Sequence, residues 1–170
     1  MSAEKSSRLT LLATFLVWTV FGFLKGFGLW EYGVAFGLAA SLCLVGLLII
    51  RKVTVKVMDW TMLSYFVFAG CATFIVYSTR FPAYSQVVVW LFYTAAAWGS
   101  IVFGRPFSLQ YARESAPPEV WENPAFWRAN LLISVVWGLA FLTNLVLLIV
   151  ALNPRHNSLW IAVVIPILMM

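Results

Sequence analysis

Long apolar runs recur along this chain and leave little sequence between them. A helix needs roughly 20 apolar residues to cross the hydrocarbon core of a bilayer, since each residue advances it by only about 1.5 Å. Five runs approach or exceed that length, at residues 9–24, 32–50, 61–78, 86–103 and 125–152. They predict an all-α fold, a polytopic bundle of five to six transmembrane helices that forms a single membrane domain over residues 1–170.

The two ends of the chain leave the number of helices open. The first run is short and reaches across a bilayer only if Lys25 extends its ammonium to the headgroups. Lys5 and Arg8 precede it as in a secretory signal, but no small-residue cleavage motif follows, so we predict a retained helix. The last run, at residues 159–170, is too short to span. It is either a partial helix or the stump of a longer one.

Charged residues are scarce and unevenly placed. They make up 10% of the chain against 63% hydrophobic residues, whereas a water-soluble domain has about 25% charged residues. The net charge of +5 is spread too thinly for a phosphate backbone, so no nucleic-acid partner is expected. If the N-terminus lies inside, eight Lys and Arg residues share its side and three lie opposite. The positive-inside rule therefore predicts a cytoplasmic N-terminus.

Basic residues on that side are also expected to contact anionic lipid headgroups. The candidates are Arg51, Lys52, Lys56, Arg105 and Arg113. The last two belong to a cytoplasmic or interfacial loop at residues 104–123. Its first part, residues 106–114, is predicted to form a helix in the interface plane, with Phe107 and Tyr111 one turn apart.

Polar groups within apolar runs are costly in a bilayer and are therefore functional candidates. Lys25 and Glu31 flank a glycine-bearing turn, where they either line a vestibule or end two helices in headgroup water. Asn130 and Asn144 are 14 residues apart, close to four helical turns, and Trp137 lies midway on the same stripe. This stripe is either a polar path for a solute or a set of interhelical packing contacts.

No group of residues indicates catalysis. The single histidine, His156, lies in a polar turn with no acid close in sequence, and no cluster has the spacing of metal ligands. We therefore expect no enzymatic activity, no catalytic residues, no metal and no cofactor. Small residues four apart, such as Gly22 with Gly26 and Gly37 with Ser41, permit close helix contact, either within the bundle or between two copies.

Four stretches resemble the intracellular septation protein A family, small bacterial inner-membrane proteins. They are FLKGFGLWEYGVAFGLAAS at 23–41, VKVMDW at 55–60, VWLFYTAAA at 89–97 followed by FGRP at 103–106, and PEVW at 118–121 followed by Asn130, Trp137 and Asn144. The resemblance covers most of the chain, from about Gly22 to Trp160, and is that of a distant relative. It implies a bacterial inner-membrane location and a part in cell division and envelope integrity.

Three functions remain open at this point. The first is a non-enzymatic envelope or division factor that binds other membrane proteins, with membrane lipids and a second copy of the chain as further partners. The second is a small-solute or ion transporter or channel with an intramembrane polar path. The third is a lipid-modifying membrane enzyme, which the lack of a catalytic cluster disfavours.

Overall fold

Six helices follow one another in the computed structural model, which describes residues 3–152 and their side chains from residue 12 onward. They are α1 (Ala3–Gly26), α2 (Trp30–Ile50), α3 (Val57–Gly70), α4 (Phe81–Val102), α5 (Phe107–Ser115) and α6 (Pro124–Ala151). Within the described part of the chain there is no strand. The predicted all-α bundle is thus confirmed there, while the run at 159–170 and His156 lie outside the described residues.

Four helices are long and apolar enough to cross a membrane. They are α2, α4, α6 and the continuous segment Val57–Ile75, in which the π-helical turn Cys71–Ile75 extends α3. The apolar part of α1, Leu12–Gly26, is shorter. A span made of α3 alone would be too short, so the π-helical turn supplies the missing length.

Several helices begin earlier than the apolar runs suggest. Helix α3 begins at Val57 rather than 61, because the carboxylate of Asp59 accepts a hydrogen bond from the Lys56 amide at 3.1 Å and caps the helix. Helix α4 begins at Phe81 rather than 86, with Pro82 in its first turn, where proline costs no hydrogen bond. At α6, the Asn123 side chain accepts a hydrogen bond from the Ala125 amide at 2.8 Å.

The helices pack in chain order around an aromatic core. Helix α2 packs between α1 and α3, α4 packs against α3 and α6, and short α5 lies against α6, α1 and α4. Among the fully buried core residues are Val34, Met62, Tyr65, Phe66 and Ala69. The Phe66 ring lies 5.1 Å from the Trp18 ring and 5.2 Å from the Phe21 ring, centroid to centroid. The core thus joins α1, α2 and α3.

One of the small-residue pairs is used inside the bundle. A Cβ placed on Gly37 of α2 would overlap the Phe66 ring of α3, and Ser41, one turn further on, is also buried. Gly22 and Gly26 of α1 differ, since a Cβ at either would meet open space. Close contact of α2 with α3 therefore depends on Gly37, whereas the α1 pair leaves room beside its helix.

Candidate functional site

Lys25 lies in the last turn of α1, beside the first turns of α4. Its ammonium donates a hydrogen bond to Ser85 Oγ at 2.8 Å. The Ser85 hydroxyl is fully buried and donates to the Pro82 carbonyl at 2.8 Å. Within residues 12–152 no carboxylate forms an ion pair with Lys25. Among residues 12–152, its ammonium therefore has a neutral partner, Ser85. We call this end of the bundle the Lys25 end.

A groove leads from Lys25 along the bundle between α1 and α4. It consists of two adjoining cavities, of about 490 Å³ and about 280 Å³, that share Trp18, Gln86 and Val89. Lys25, Gly22 and Gly26 line the first cavity, and Trp90, Tyr93 and Phe141 line the second. We call it the α1–α4 groove; it is polar near Lys25 and aromatic further along.

The opposite end of the bundle, the α5 end, holds a buried ion pair. Lys56 Nζ lies 2.8 Å from Glu114 Oε2, and Lys56 is only 2% exposed. The ammonium also lies 4.6 Å from the centroid of the Tyr111 ring. Burial, with smaller contributions from the nearby Asp59 and Glu114 charges, raises the pKa of the Tyr111 hydroxyl well above its usual value. Tyr111 therefore adds no charge to this cluster.

Asp59 connects this ion pair to α1. Its side chain is 3% exposed, accepts the Lys56 amide hydrogen bond, and is hydrogen-bonded by Thr14 of α1. The Val57 amide, next to that of Lys56, donates to Gln110 Oε1 of α5 at 2.9 Å. The start of α3 is thus fixed to both α1 and α5. A buried carboxylate and ammonium are tolerated here because each has polar partners.

Backbone amides in the first turn of α5 donate hydrogen bonds to serine hydroxyls of α4 and α6. The Ser108 amide donates to Ser134 Oγ of α6 at 3.2 Å, and the Phe107 amide donates to Ser100 Oγ of α4 at 3.1 Å. Ser108 Oγ donates to the Asn130 carbonyl at 2.7 Å and accepts from Ser134 Oγ at 3.0 Å. The amides that a helix start leaves without internal partners are therefore satisfied inside the bundle. Helix α5 is inserted by its first turn and does not simply lie on the surface.

The three predicted polar residues of α6 are placed differently from one another. Asn130 is 4% exposed and contacts Ser108, while its amide nitrogen donates to the Phe126 carbonyl at 2.9 Å. Asn144 is half-buried and donates to the Ala140 carbonyl of its own helix at 2.8 Å. Trp137 is 52% exposed. Of the three, only Asn130 is buried, at its contact with Ser108 of α5.

Glu31 and the predicted headgroup residues lie at the ends of the bundle. Glu31, in the first turn of α2, is exposed, and the structure pairs it with no cation among the described residues. Arg51, Lys52, Arg105 and Arg113 are exposed at the α5 end. The last two line a surface cavity of about 630 Å³ together with Trp127.

Lys56, which was expected to contact lipid headgroups, is instead buried. It is buried against Glu114 because α5 folds back over the loop that precedes α3. Residue spacing does not reveal this contact, which joins residues 58 positions apart. A basic residue in a short polar turn resembles its exposed neighbours Arg51 and Lys52 until α5 is in place.

The hydrogen-bonding residues Asp59, Ser85, Ser108 and Ser134 were not predicted as site residues. Asp59 lies three residues after Lys56, the residue that precedes α3, and an acidic residue at this spacing is part of a capping signal that the sequence does carry. The serines give no such signal, since small polar residues are common in apolar helices. Within residues 3–152, no three His, Cys, Asp or Glu side chains are grouped to hold a metal.

Comparison of the chain with family models, with curated proteins and with solved structures finds no match.

Proposed function

We propose that this chain is a multi-pass protein of the bacterial inner membrane, with its N-terminus and α5 facing the cytoplasm. Four helices have the length and composition for the membrane. The exposed basic residues of the α5 end, Arg51, Lys52, Arg105 and Arg113, outnumber Lys25 and Arg80 at the Lys25 end of the described chain. This asymmetry supports the orientation through the positive-inside rule.

Within that membrane we propose a non-enzymatic role in the cell envelope and in division, as the resemblance to septation protein A implies, exercised by binding other membrane proteins. The observation that carries this is the exposed ring of Trp137. It lies midway along the 28 residues of α6, about 20 Å from either end. Tryptophan in a membrane is enriched at the headgroup boundary. An exposed tryptophan at mid-helix suits contact with a partner helix, since aromatic residues supply much of the energy of interfaces.

Trp137 is not the only large apolar side chain that α6 exposes. Helices α4 and α5 cover one side of α6, and the other side exposes large apolar side chains. Ile133 and Val136 lie nearest to Trp137 around the helix, and Leu132, Leu139 and Val146 lie further round it. We call this surface the α6 outer face.

A photo-crosslinking amino acid at position 137, compared with one at the exposed residue Leu42 of α2, tests the proposal in native membranes. We expect position 137 to give a discrete adduct with an envelope or division protein, and Leu42 to give none. Cells that lack the chain should become longer or more sensitive to detergent. Lipid adducts alone at both positions, with normal cell length and envelope, would contradict the proposal. An adduct with a second copy of the chain would instead assign the face to self-association.

Transport is the second candidate, and one arrangement favours it. Polar side chains follow one another through the interior, from Lys25 and Ser85 past Tyr65, whose buried hydroxyl lies near Ser85 without hydrogen-bond geometry. Trp18 lies between Tyr65 and Tyr93, and Asp59 lies beyond. A proton or small ion that crosses the bundle would meet these groups in turn.

Transport can be tested by reconstituting the protein in liposomes and measuring the flux of protons or small ions. The wild type is compared with Asp59→Asn. Transport along this line predicts that Asp59→Asn reduces flux, while Asn144→Leu, whose amide bonds only its own helix, leaves flux unchanged. Equal flux in the wild type, both variants and empty liposomes would eliminate the candidate.

A further inference from the structure

We propose that the α1–α4 groove binds one lipid with an anionic phosphate headgroup, the phosphate at Lys25 and an acyl chain along the aromatic part. This inference rests on the proposed membrane placement of the bundle, but not on any partner protein. The groove adjoins the α6 outer face, since Phe141, which lines the groove, has its ring centroid 5.8 Å from that of Trp137.

The Lys25 ammonium has capacity for a phosphate. An ammonium carries three N–H donors, and the structure shows one of them used, toward Ser85. Lys25 is half-buried and has no carboxylate partner among residues 12–152, so its charge is uncompensated by the protein there. Gln86, which lines both cavities, adds an amide donor beside it. Hydrogen bonds between an ammonium and a phosphate oxygen are about twice as strong as neutral ones.

The position of Lys25 matches the depth of a headgroup. It lies in the last turn of α1, one residue before the helix ends at Gly26. Its partner Ser85 lies in the first turns of α4, which is long enough to span, and a spanning helix begins at the headgroup layer, where basic side chains meet lipid phosphates. The polar end of the groove is therefore placed where the polar end of a lipid lies.

The rest of the groove suits an acyl chain. Its walls are the large apolar side chains of Trp18, Val89, Trp90 and Phe141. Gly22 and Gly26 leave the part of the groove near Lys25 open, because a side chain at either position would project into free space beside α1. The two cavities together are within the size range of sites for small ligands.

The order of polarity favours a lipid over a partner helix. From the end of α1 inward the groove changes from ammonium and amide to aromatic rings, as a phospholipid changes from phosphate to hydrocarbon. An apolar helix in the groove would cover the Lys25 charge without neutralising it, which is costly in a bilayer.

Native mass spectrometry of the purified full chain tests the site. The probes are phosphatidylglycerol, whose headgroup is anionic, and phosphatidylcholine, whose headgroup has no net charge. We expect one tightly retained phosphatidylglycerol, and at least about tenfold weaker retention by Lys25→Gln, the loss expected for one charged hydrogen bond. Arg51→Gln removes the same charge from an exposed position at the other end and should retain the lipid as the wild type does. Millimolar inorganic phosphate should not displace the lipid. Displacement would reduce the site to a phosphate site without a chain groove and would overturn the proposal.

Filling the groove is an independent test that does not alter charge. Gly22→Leu should abolish retention, while Gly46→Leu on α2, which also meets open space, should have no effect. Both variants should fold, because leucine favours helix over glycine by roughly 1 kcal/mol. If Lys25→Gln and Gly22→Leu both retain phosphatidylglycerol like the wild type, the proposal is overturned. Loss of crosslinks from position 137 would leave this result unaffected, so the two proposals fail separately.

Discussion

The Lys56 ammonium lies 2.8 Å from the Glu114 carboxylate and joins the loop before α3 to a helix 58 residues further along the chain. Asp59 and Gln110 add hydrogen bonds on either side of this contact. Because Lys56 is almost fully buried, the ion pair is a fixed element of the fold and not a contact with solvent. Its removal should loosen α5 from the bundle.

Glu114→Ala is therefore expected to destabilise the protein by roughly 2–4 kcal/mol, since it removes a counter-charge 2.8 Å from the buried Lys56 ammonium. Thermal unfolding in detergent measures the change. Glu119→Ala removes an exposed carboxylate from the segment between α5 and α6 and serves as the control. It should alter stability by under about 0.5 kcal/mol. The double variant Lys56→Met/Glu114→Leu should recover much of the loss. Equal unfolding temperatures for Glu114→Ala and Glu119→Ala would show that the pair does not stabilise the fold.

Gly37→Ala should destabilise the bundle by about 1–3 kcal/mol, because the new Cβ overlaps the Phe66 ring in a fully packed region. Gly46→Ala on the same helix meets open space and should be neutral or stabilising. Unfolding midpoints of the two variants provide the comparison. Phe66→Leu introduced into Gly37→Ala should restore part of the stability if the overlap is the cause. A neutral Gly37→Ala would mean that α2 and α3 pack less closely than described.

Ser108→Ala removes a hydroxyl that bonds both Asn130 and Ser134 and should cost about 1–3 kcal/mol locally. Hydrogen exchange of the α5 amides should accelerate by roughly tenfold, since 1.4 kcal/mol corresponds to a tenfold change in an opening equilibrium. Ser115→Ala, at the exposed end of the same helix, serves as the control and should exchange like the wild type. If the α5 amides of Ser108→Ala exchange no faster, the helix is held by its apolar contacts alone.

The sequence was sufficient for the helices because their signal is local. Apolar length predicts α2, α4 and α6 directly, and caps such as Asn123 limit their ends. It was insufficient for α5, predicted as a helix in the interface plane, since insertion of its first turn depends on Ser100 and Ser134 in other helices. Burial of these residues is a property of the packed bundle and leaves no trace in the periodicity of α5 itself.

The candidate site was predictable to a smaller extent. Lys25 stands out as a cation at the end of an apolar run, and the structure places it at the end of the α1–α4 groove. Its partner Ser85 is 60 residues away, and a groove between two helices depends on which helices are neighbours. Asn130 and Trp137 share a stripe on α6, but only Asn130 is buried, and its contact with Ser108 joins residues 22 positions apart.

Cysteine accessibility in intact cells tests most directly that the bundle crosses the membrane with α5 inside. Thr79→Cys and Ser115→Cys lie exposed at opposite ends, and both are made in a chain whose Cys43 and Cys71 are replaced by serine. A membrane-impermeant maleimide should label position 79 in spheroplasts and position 115 only after the membrane is opened. If the maleimide labelled only position 115 from outside, α5 would face outward, opposite to the proposed orientation. Equal labelling of both positions before opening would contradict a membrane-spanning bundle.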